Sequence, residues 1–289
     1  MTYRSVLFVP AANTKAMAKA PALGADAIII DLEDALAPEQ KDQGRAAAIS
    51  FLRQNRELQT PIAVRINTEP AAIQMTDIMA ISGEGASALV IPKVESVQDL
   101  QQVESQVKRV LRPYQQQSPA LWAMIETPLG ILNLPEIAEG GRAFRLDCLI
   151  AGTNDLTTQL QCSPDNQRTA LQSHLAEIVL VGRAFSLSVF DGVYNDFSDE
   201  RGFTEQAKQG KDLGFDGKTL IHPAQIEPAN TVFGASLDEI KQATAIVRAF
   251  GYKKNAGKGA INIGGQMVER LHLAAAEKLL AQQTVKKTK

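Results

Sequence analysis

Short runs of apolar residues alternate with longer amphipathic stretches along most of the chain. Eight of these runs are rich in Val, Ile, Leu and Ala and read largely as unbroken apolar blocks, without alternation of apolar and polar positions. Unbroken blocks of this kind are typical of parallel strands that are covered on both faces. The predicted strands are Val6–Val9, Ala27–Asp31, Ile62–Ile66, Ala88–Pro92, Leu121–Ile125, Asp147–Ile150, Leu187–Phe190 and Lys218–Ile221.

The stretches between these runs carry helix signals. Ser236 and Glu239 form a capping-box pattern, with apolar residues behind them at the spacing of one helix face. Gly24 and Gly214 lie just before two of the predicted strands, where a glycine ends a helix and lets the chain turn back into the sheet. Eight strands that alternate with helices are the pattern of a (β/α)₈ barrel.

We therefore predict an α/β fold, a TIM (β/α)₈ barrel with a C-terminal helical extension. An open doubly wound sheet is the competing fold, but it predicts a glycine-rich phosphate loop where this chain has Pro10-Ala-Ala-Asn13. The barrel is expected over residues 1–234. Residues 235–289 are expected to form a helical arm that completes the barrel surface and contacts a neighbouring subunit.

Composition narrows the class of protein. The chain has 289 residues, of which 45% are apolar and 21% charged, so it can fill a large core and does not read as disordered. Its 30 basic and 32 acidic residues leave a formal net charge of -2, which does not suit a nucleic-acid binder. Two cysteines exclude a disulfide scaffold, and no apolar run reaches the roughly 18 residues that span a bilayer. We expect a cytoplasmic protein without nucleic-acid or membrane partners.

Ionisable residues follow nearly every predicted strand. In a barrel of this type the catalytic groups lie at the C-terminal ends of the strands, on the loops that lead into the helices. The sequence therefore predicts a polar active site at that rim. In chain order the residues are Asp31, Glu33, Asp34, Arg65, Lys93, Glu95, Glu126, Asp155, Asp191 and His222.

Three of these residues indicate a specific chemistry. Glu126 and Asp155 would project from neighbouring strand ends, and two carboxylates without His or thiolate suit a Mg²⁺ ion that keeps several waters. Arg65 offers a planar fork for a substrate carboxylate. Mg²⁺ beside a guanidinium suits a 2-oxo acid or an enolate, because the ion binds carboxylate and carbonyl together and stabilises the negative oxygen. The residues favour Mg²⁺-assisted cleavage or formation of a C–C bond through an enolate.

Several of the same residues have plainer interpretations. Asp31 and Glu33 could be satisfied loop residues, and Lys93 could pair with a loop acid. Glu126 and Asp155 could be ordinary acids at helix starts, and His222 could cap the next helix. Arg65 is harder to explain in this way, because a buried arginine at the rim needs an acidic partner.

A family likeness rests on six segments that occur in order. They are Arg4–Pro10, Ile30–Ala35, Val64–Asn67, Ile91–Glu95, Ile125–Gly130 and Ile221–Ile226. Together they resemble the citrate lyase beta subunit-like family of the HpcH/HpaI aldolase superfamily, whose members are TIM barrels. The likeness extends from Arg4 to about Glu269 and so covers almost the whole chain.

The resemblance implies roles for the rim residues. Glu126 and Asp155 would ligate Mg²⁺, with Glu126 also touching substrate, and Arg65 would hold the substrate carboxylate. Asp34 would lie beside the metal site and the substrate. Mg²⁺ is the expected cofactor.

The resemblance also implies roles outside the rim. Lys19 and Lys41 match basic positions that lie near the cofactor phosphates in relatives that handle acyl-CoA. Gly264–Glu269 resembles a C-terminal segment that packs across a neighbouring subunit, and its acid serves the neighbour's active site. Glu269 would therefore act in catalysis, and the protein would be a homo-oligomer, a trimer or a hexamer.

Two departures from the family pattern concern the substrate. Glu269 stands where the CoA-ester lyases carry Asp, and the metal loop Gly152-Thr-Asn-Asp155 resembles the 2-oxo acid aldolases more than the citrate lyase branch. The expected function is a Mg²⁺-dependent lyase that cleaves a 3-hydroxy-acyl-CoA thioester of the citryl-, malyl- or citramalyl-CoA type. The alternatives are a class II aldolase on a free 2-oxo acid, a lyase subunit that works only with an acyl-carrier protein, and a barrel that binds metabolites without turnover.

Overall fold

The computed structural model of the chain describes residues 3–111, 118–163 and 165–287. The chain divides into two compact units, Met1–Phe233 and Gly234–Lys289.

The first unit is a closed barrel of parallel strands, and all eight predicted strands are found within the described residues. Neighbours in the chain pair in order, and β1 pairs with β8 to close the barrel. The predicted TIM-barrel fold is confirmed, with strand ends shifted by about one residue. The strands are β1 Ser5–Pro10, β2 Ala27–Asp31, β3 Ile62–Arg65, β4 Ala88–Ile91, β5 Ala120–Ile125, β6 Leu146–Ala151, β7 Ser188–Asp191 and β8 Gly217–Leu220.

Helices follow the strands as the amphipathic pattern predicts. Gly214 ends one of them with a φ of 103°, which a residue with a side chain rarely adopts, and a strand begins three residues later. The helices of this unit are α1 Thr14–Lys19, α2 Lys41–Gln54, α3 Ala71–Ile81, α4 Val97–Leu111, α5 Pro128–Leu132, α6 Leu134–Gly141, α7 Thr153–Gln159, α8 Gln172–Ala184, α9 Glu200–Leu213 and α10 Ile226–Val232.

The apolar strands separate two layers of core. Inside the barrel lie alternate residues of the strands, among them Ile29, Trp122 and Phe190. The other face of each strand packs in a larger cluster with the helices, including Leu52 and Ile178. Burial on both faces explains why the strands are unbroken apolar blocks in sequence.

The second unit contains α11 Leu237–Gly251, the antiparallel strands β9 Ala260–Ile263 and β10 Gln266–Glu269, and α12 Arg270–Lys287. The predicted capping box is present, because Ser236 Oγ accepts the Glu239 N–H at 3.1 Å and Glu239 Oε2 accepts the Ser236 N–H at 2.6 Å. The helical extension is thus confirmed. The hairpin was not predicted, because its strands have only four residues each and both carry polar residues among the apolar ones.

None of the helices within the described residues is both long enough and apolar enough to cross a membrane.

Candidate active site

The C-terminal ends of the barrel strands surround a cavity of about 350 Å³. Five of the residues predicted for the rim lie in its wall: Asp31, Asp34, Arg65, Glu126 and Asp155. They come from four different places in the chain, the end of β2 and the loop after it, the end of β3, the loop after β5 and the loop after β6. All strands of a closed parallel barrel end at the same rim, so residues that are distant in sequence converge there.

Glu126 follows β5 directly and is only 1% exposed. Its Oε1 atom accepts a hydrogen bond from the backbone N–H of Lys93 at 2.8 Å. Lys93 has a φ of 52°, a left-handed conformation that is uncommon for a residue with a side chain. Burial first, and then the negative charge of Asp155, raises the pKa of Glu126 to about 7.

Gly152 keeps open the space beside the Glu126 carboxylate. A Cβ atom at this position would collide with Glu126 Cβ and Oε2. Asp155 stands three residues later, half-buried in the first turn of α7. The two carboxylates are close enough for Asp155 to raise the pKa of Glu126, and a cation between them would relieve that repulsion.

This pair of carboxylates fits a Mg²⁺ ion. Within the three described ranges, no three His, Cys, Asp or Glu side chains are grouped closely enough to hold a metal by themselves. Mg²⁺ needs no such cage, because it commonly takes one or two carboxylates and fills its other positions with water and substrate oxygens. Hard oxygen donors, like charges and the opening left by Gly152 all suit the ion.

Arg65 is 9% exposed and is held mainly by Asp31. Arg65 Nε and Nη2 donate to Oδ1 and Oδ2 of Asp31 at 2.7 and 2.5 Å. Burial works to lower the pKa of Arg65, but the hydrogen bonds and charge of Asp31 outweigh it and keep the pKa above its ordinary value. The acidic partner that a buried arginine needs is therefore Asp31.

This pairing changes what Arg65 can offer to a substrate. The two-pronged edge expected for a substrate carboxylate is taken by Asp31, which leaves mainly Nη1. That atom lies 2.9 Å from Glu33 Oε2 and 3.9 Å from the sulfur of Met124, a residue of the cavity wall. A substrate carboxylate would therefore compete with Glu33 for Nη1.

Glu33, Lys93 and Asp34 complete the charged cluster around Arg65. Lys93 Nζ lies 3.0 Å from Glu33 Oε1, and burial raises the pKa of Glu33. Asp34 is more exposed, with Oδ2 3.9 Å from Arg65 Nη1. The sequence predicts that Glu33 and Lys93 lie at the rim. It does not predict their roles, because it does not show which side chains contact each other.

Lys41 and Lys19 lie at helix ends in the first unit. Lys41 Nζ donates to the carbonyl oxygens of Leu32 and Glu33 at 2.9 and 2.7 Å, and to Asn67 Oδ1 at 2.8 Å. These three bonds use all three ammonium hydrogens, so an incoming phosphate would have to compete with them. Lys19 ends α1 and is exposed.

Glu269 lies in the second unit, at the end of β10. Its backbone N–H donates to Nδ1 of His272 at 2.9 Å. A catalytic role for its carboxylate stays a prediction.

Asp191 and His222 are two of the ionisable residues predicted for the rim, and both have structural partners. Asp191 is completely buried and accepts hydrogen bonds from Arg168 Nη1 at 2.6 Å and Lys218 Nζ at 2.9 Å. His222 Nδ1 accepts the backbone N–H of Ala224 at 3.2 Å, which is the capping interpretation. An unbroken apolar run does not show on which face of the strand its last residue lies. For this reason the predicted position of Asp191 in the rim site was wrong.

Comparisons with known proteins identify the family of the chain. Residues 4–223 match the sequence profile of the HpcH/HpaI aldolase/citrate lyase family. Over 279 residues the chain is 40% identical to the (3S)-malyl-CoA thioesterase of Cereibacter sphaeroides, a match that covers 96% of this chain and 94% of the relative. Over 285 residues it is 32% identical to the citrate lyase subunit beta of Escherichia coli K12, with the same two coverages.

A solved structure supports the same assignment. The crystal structure of protein CitE from Mycobacterium tuberculosis in complex with magnesium, acetoacetate and coenzyme A superposes with a TM-score of 0.78. The two chains are 27% identical, and the match covers 97% of each. From its sequence profile, its curated relatives and its barrel, the chain belongs to the HpcH/HpaI aldolase/citrate lyase family.

Proposed function

We propose that the protein is a Mg²⁺-dependent carbon–carbon lyase that cleaves a 3-hydroxy-acyl-CoA thioester into an acyl-CoA and a 2-oxo acid through an enolate. The observation that carries this proposal is the buried Glu126 carboxylate paired with Asp155 beside Arg65, in one cavity at the mouth of the barrel. A relative with this barrel binds magnesium, acetoacetate and coenzyme A, which supports the same class of ligands here. A cytoplasmic location is part of the proposal.

The charges in the cavity support the need for the metal. Five carboxylates line or adjoin it, and two cationic side chains balance them only in part. An anionic substrate would be repelled by this excess of negative charge until a divalent cation offsets it. The carboxylates are those of Asp31, Glu33, Asp34, Glu126 and Asp155, and the cations are Arg65 and Lys93.

The side chains would divide the work as follows. Glu126 and Asp155 hold the ion, which when bound polarises the carbonyl and carboxylate oxygens of the 2-oxo acid half. Arg65 Nη1 donates to that carboxylate, while Asp31 keeps the guanidinium in place. Asp34, at the exposed edge, orients water or substrate near the ion.

The thioester half needs a group that handles the proton at its α-carbon. We assign this task to Glu269 of a neighbouring subunit, which makes the protein a trimer or a hexamer. Lys19 would meet the CoA phosphates, and Lys41 would do so only by giving up one of its present bonds. We expect Glu269→Gln to lose turnover while light scattering shows that its oligomer is intact. Unchanged turnover would remove Glu269 from the mechanism.

Thioester hydrolysis is a second candidate function. It is favoured by the 40% identity to proteins described as (3S)-malyl-CoA thioesterases, against 32% for the citrate lyase subunit. Hydrolysis releases free CoA and a hydroxy acid, whereas the lyase reaction releases an acyl-CoA and a 2-oxo acid. The two functions are therefore separated by their products.

The deciding experiment supplies malyl-, citramalyl- and citryl-CoA to the purified protein, with Mg²⁺ or with a chelator. Release of a 2-oxo acid that stops with the chelator supports the proposal, and release of free CoA supports hydrolysis. Cleavage of an added free 4-hydroxy-2-oxo acid, with the thioesters left intact, would indicate a class II aldolase. Activity only after addition of an acyl-carrier protein would indicate a subunit of a larger lyase. Release of a 2-oxo acid that the chelator leaves unchanged would overturn the role of Mg²⁺.

A further inference from the structure

Lys93 has two connections to the site, and they come from different parts of the residue. Its backbone N–H donates to Glu126 Oε1 at 2.8 Å, and its side-chain Nζ lies 3.0 Å from Glu33 Oε1. Among the residues that the structure describes, this N–H is the one hydrogen-bond donor to the Glu126 carboxylate. The proposed function uses only the charge of Lys93, so the backbone contact has no role in it.

The loop around Lys93 carries one residue more than regular pairing with β5 needs. Ile91 pairs with Ala123, and the Val94 N–H donates to the carbonyl oxygen of Met124 at 3.2 Å. In regular parallel pairing residue 93, and not Val94, would donate to that carbonyl. The chain is thus fixed to β5 on both sides of an extra residue, and it has to turn sharply between the two contacts.

The turn is made at Lys93, whose φ is 52°. This left-handed conformation is unfavourable for a residue with a Cβ atom, and glycine is the residue that usually occupies it. The turn directs the Lys93 N–H to the Glu126 carboxylate in place of a β5 carbonyl. Because Glu126 is only 1% exposed, little water competes for this charge-assisted bond. The bond fixes Oε1, while Oε2 lies beside Gly152.

The Lys93 side chain has a contact that offsets the cost of this conformation. Nζ forms an ion pair with the buried carboxylate of Glu33, whose Oε2 lies 2.9 Å from Arg65 Nη1. Because Arg65 also contacts Glu33, the ion pair ties the Lys93 side chain to a fixed point. A glycine at position 93 would take the left-handed conformation without strain but would lack this tie.

We propose that Lys93 is a positioning residue for the metal site. Its left-handed backbone directs the N–H to Glu126, and its ammonium group holds that conformation through Glu33. The inference rests on the proposed function, because it assumes that Glu126 ligates Mg²⁺. It differs from the plainer view, in which Lys93 acts only by its positive charge among the carboxylates of the rim.

The test compares glycine with alanine at position 93 by calorimetric titration of the purified protein with Mg²⁺. Both changes remove the ammonium group, so the effect of the lost charge is the same in the two variants. They differ in the cost of the left-handed backbone, which is high for alanine and low for glycine. We expect Lys93→Gly to bind Mg²⁺ about tenfold more tightly than Lys93→Ala.

A second pair of variants repeats the comparison with an amide side chain. Lys93→Asn and Lys93→Gln carry the same functional group, but asparagine adopts the left-handed conformation more readily. The asparagine variant should therefore bind Mg²⁺ more tightly than the glutamine variant. If Lys93→Ala does not fold, this pair decides the question.

Ser186 provides the matched control. Its φ is 59°, and it is exposed two residues before β7, at the end of the barrel opposite the site. Ser186→Gly and Ser186→Ala differ in the same backbone cost, but they should bind Mg²⁺ equally. The glycine variant should have the higher Tm at both positions when a chelator is present. A difference in Mg²⁺ affinity at position 93 alone therefore comes from positioning and not from stability.

Three results would overturn the inference. They are equal Mg²⁺ affinities of Lys93→Gly and Lys93→Ala, tighter binding by the alanine variant, and an equal difference in affinity between the Ser186 variants. A wild-type protein that does not bind Mg²⁺ would overturn both this inference and the metal-dependent function. If the glycine and alanine variants differ as expected but no thioester is cleaved, the proposed function alone fails.

Discussion

At the scale of single residues, the Asp31–Arg65 pair decides how the site meets a substrate. Asp31 occupies two of the three nitrogen atoms of the guanidinium, and its Oδ1 also accepts the Glu33 N–H at 2.9 Å. The N–H groups bound to Asp31 are not available to a substrate, but the same bonds hold the Arg65 guanidinium in a fixed orientation. Catalysis depends strongly on orientation. Asp31 is in this sense a positioning residue.

Replacing Asp31 by Asn should be costly, because it removes the main charge partner of a buried guanidinium. We expect a loss of about 3 kcal/mol in the free energy of unfolding, measured by urea denaturation, and a fall of about 100-fold in kcat/KM. The matched control is Glu84→Gln, which breaks a similar two-pronged pair with Arg53, a residue whose side chain is 61% exposed. That change should cost less than about 1 kcal/mol, and equal costs for the two variants would contradict the expectation.

Gly152 affects the metal site because it has no side chain. In Gly152→Ala the new methyl group would push against Glu126 Cβ and Oε2, so the affinity for Mg²⁺ should fall at least about tenfold. Calorimetric titration with Mg²⁺ measures this. Gly251→Ala serves as the control, since nothing lies within 4 Å of a Cβ atom at that position. Unaltered Mg²⁺ binding in Gly152→Ala would show that the carboxylate does not need this space.

At the scale of elements, the sequence predicts strands better than it predicts which face a side chain takes. The eight barrel strands are found because most of them are apolar blocks bounded by turn residues. The rim position of Glu126 follows from the end of β5. The pairing of Asp31 with Arg65 does not follow, because it depends on the register between β2 and β3, which no local pattern encodes. Asp191 shows the same limit at the end of β7.

The Asp191 network ties several elements together. Lys218 of β8 donates to Asp191 Oδ2, to the Gln206 side chain of α9 at 2.8 Å and to the Gly192 carbonyl. Arg168 reaches the same carboxylate from the loop before α8. The loop after β7 is therefore anchored to the barrel by buried side chains of opposite charge.

This network predicts a dependence of stability on pH. Burial alone would raise the pKa of Asp191, but Lys218 and Arg168 outweigh it and hold the pKa below its usual range. Because the pKa is lower in the folded than in the unfolded chain, the stabilisation is complete above about pH 4 and is lost as the pH falls through the folded value. The wild type should therefore lose more free energy of unfolding between pH 6 and pH 3 than the double variant Asp191→Asn/Lys218→Met. In that variant the residues at positions 191 and 218 are both neutral. Parallel losses in urea unfolding would refute this.

At the scale of the whole molecule, metal binding and folding should be linked. A Mg²⁺ concentration of 100 times Kd should add about 2.7 kcal/mol to the free energy of unfolding, because only the folded chain brings Glu126 and Asp155 together. The gain, read as a rise in Tm, should disappear with a chelator and in Asp155→Asn. Asp147→Asn, which changes an exposed acid on β6, should keep it. A gain that survives in Asp155→Asn would place the ion elsewhere.

The closure of the barrel has a consequence for how the protein is made. β1 pairs with β8, with Ser5 opposite Lys218, so β1 leaves the ribosome well before its partner, which is translated near the end of the first unit. Contacts between such distant parts of a chain form late, because a long loop must close first. Until then the apolar edge of β1 is open to other partners. The cavity, with walls from Phe8 to Ile221, exists only after this last strand has joined, so a chain synthesised only as far as β7 holds both metal-site carboxylates, Glu126 and Asp155, and still has no catalytic centre.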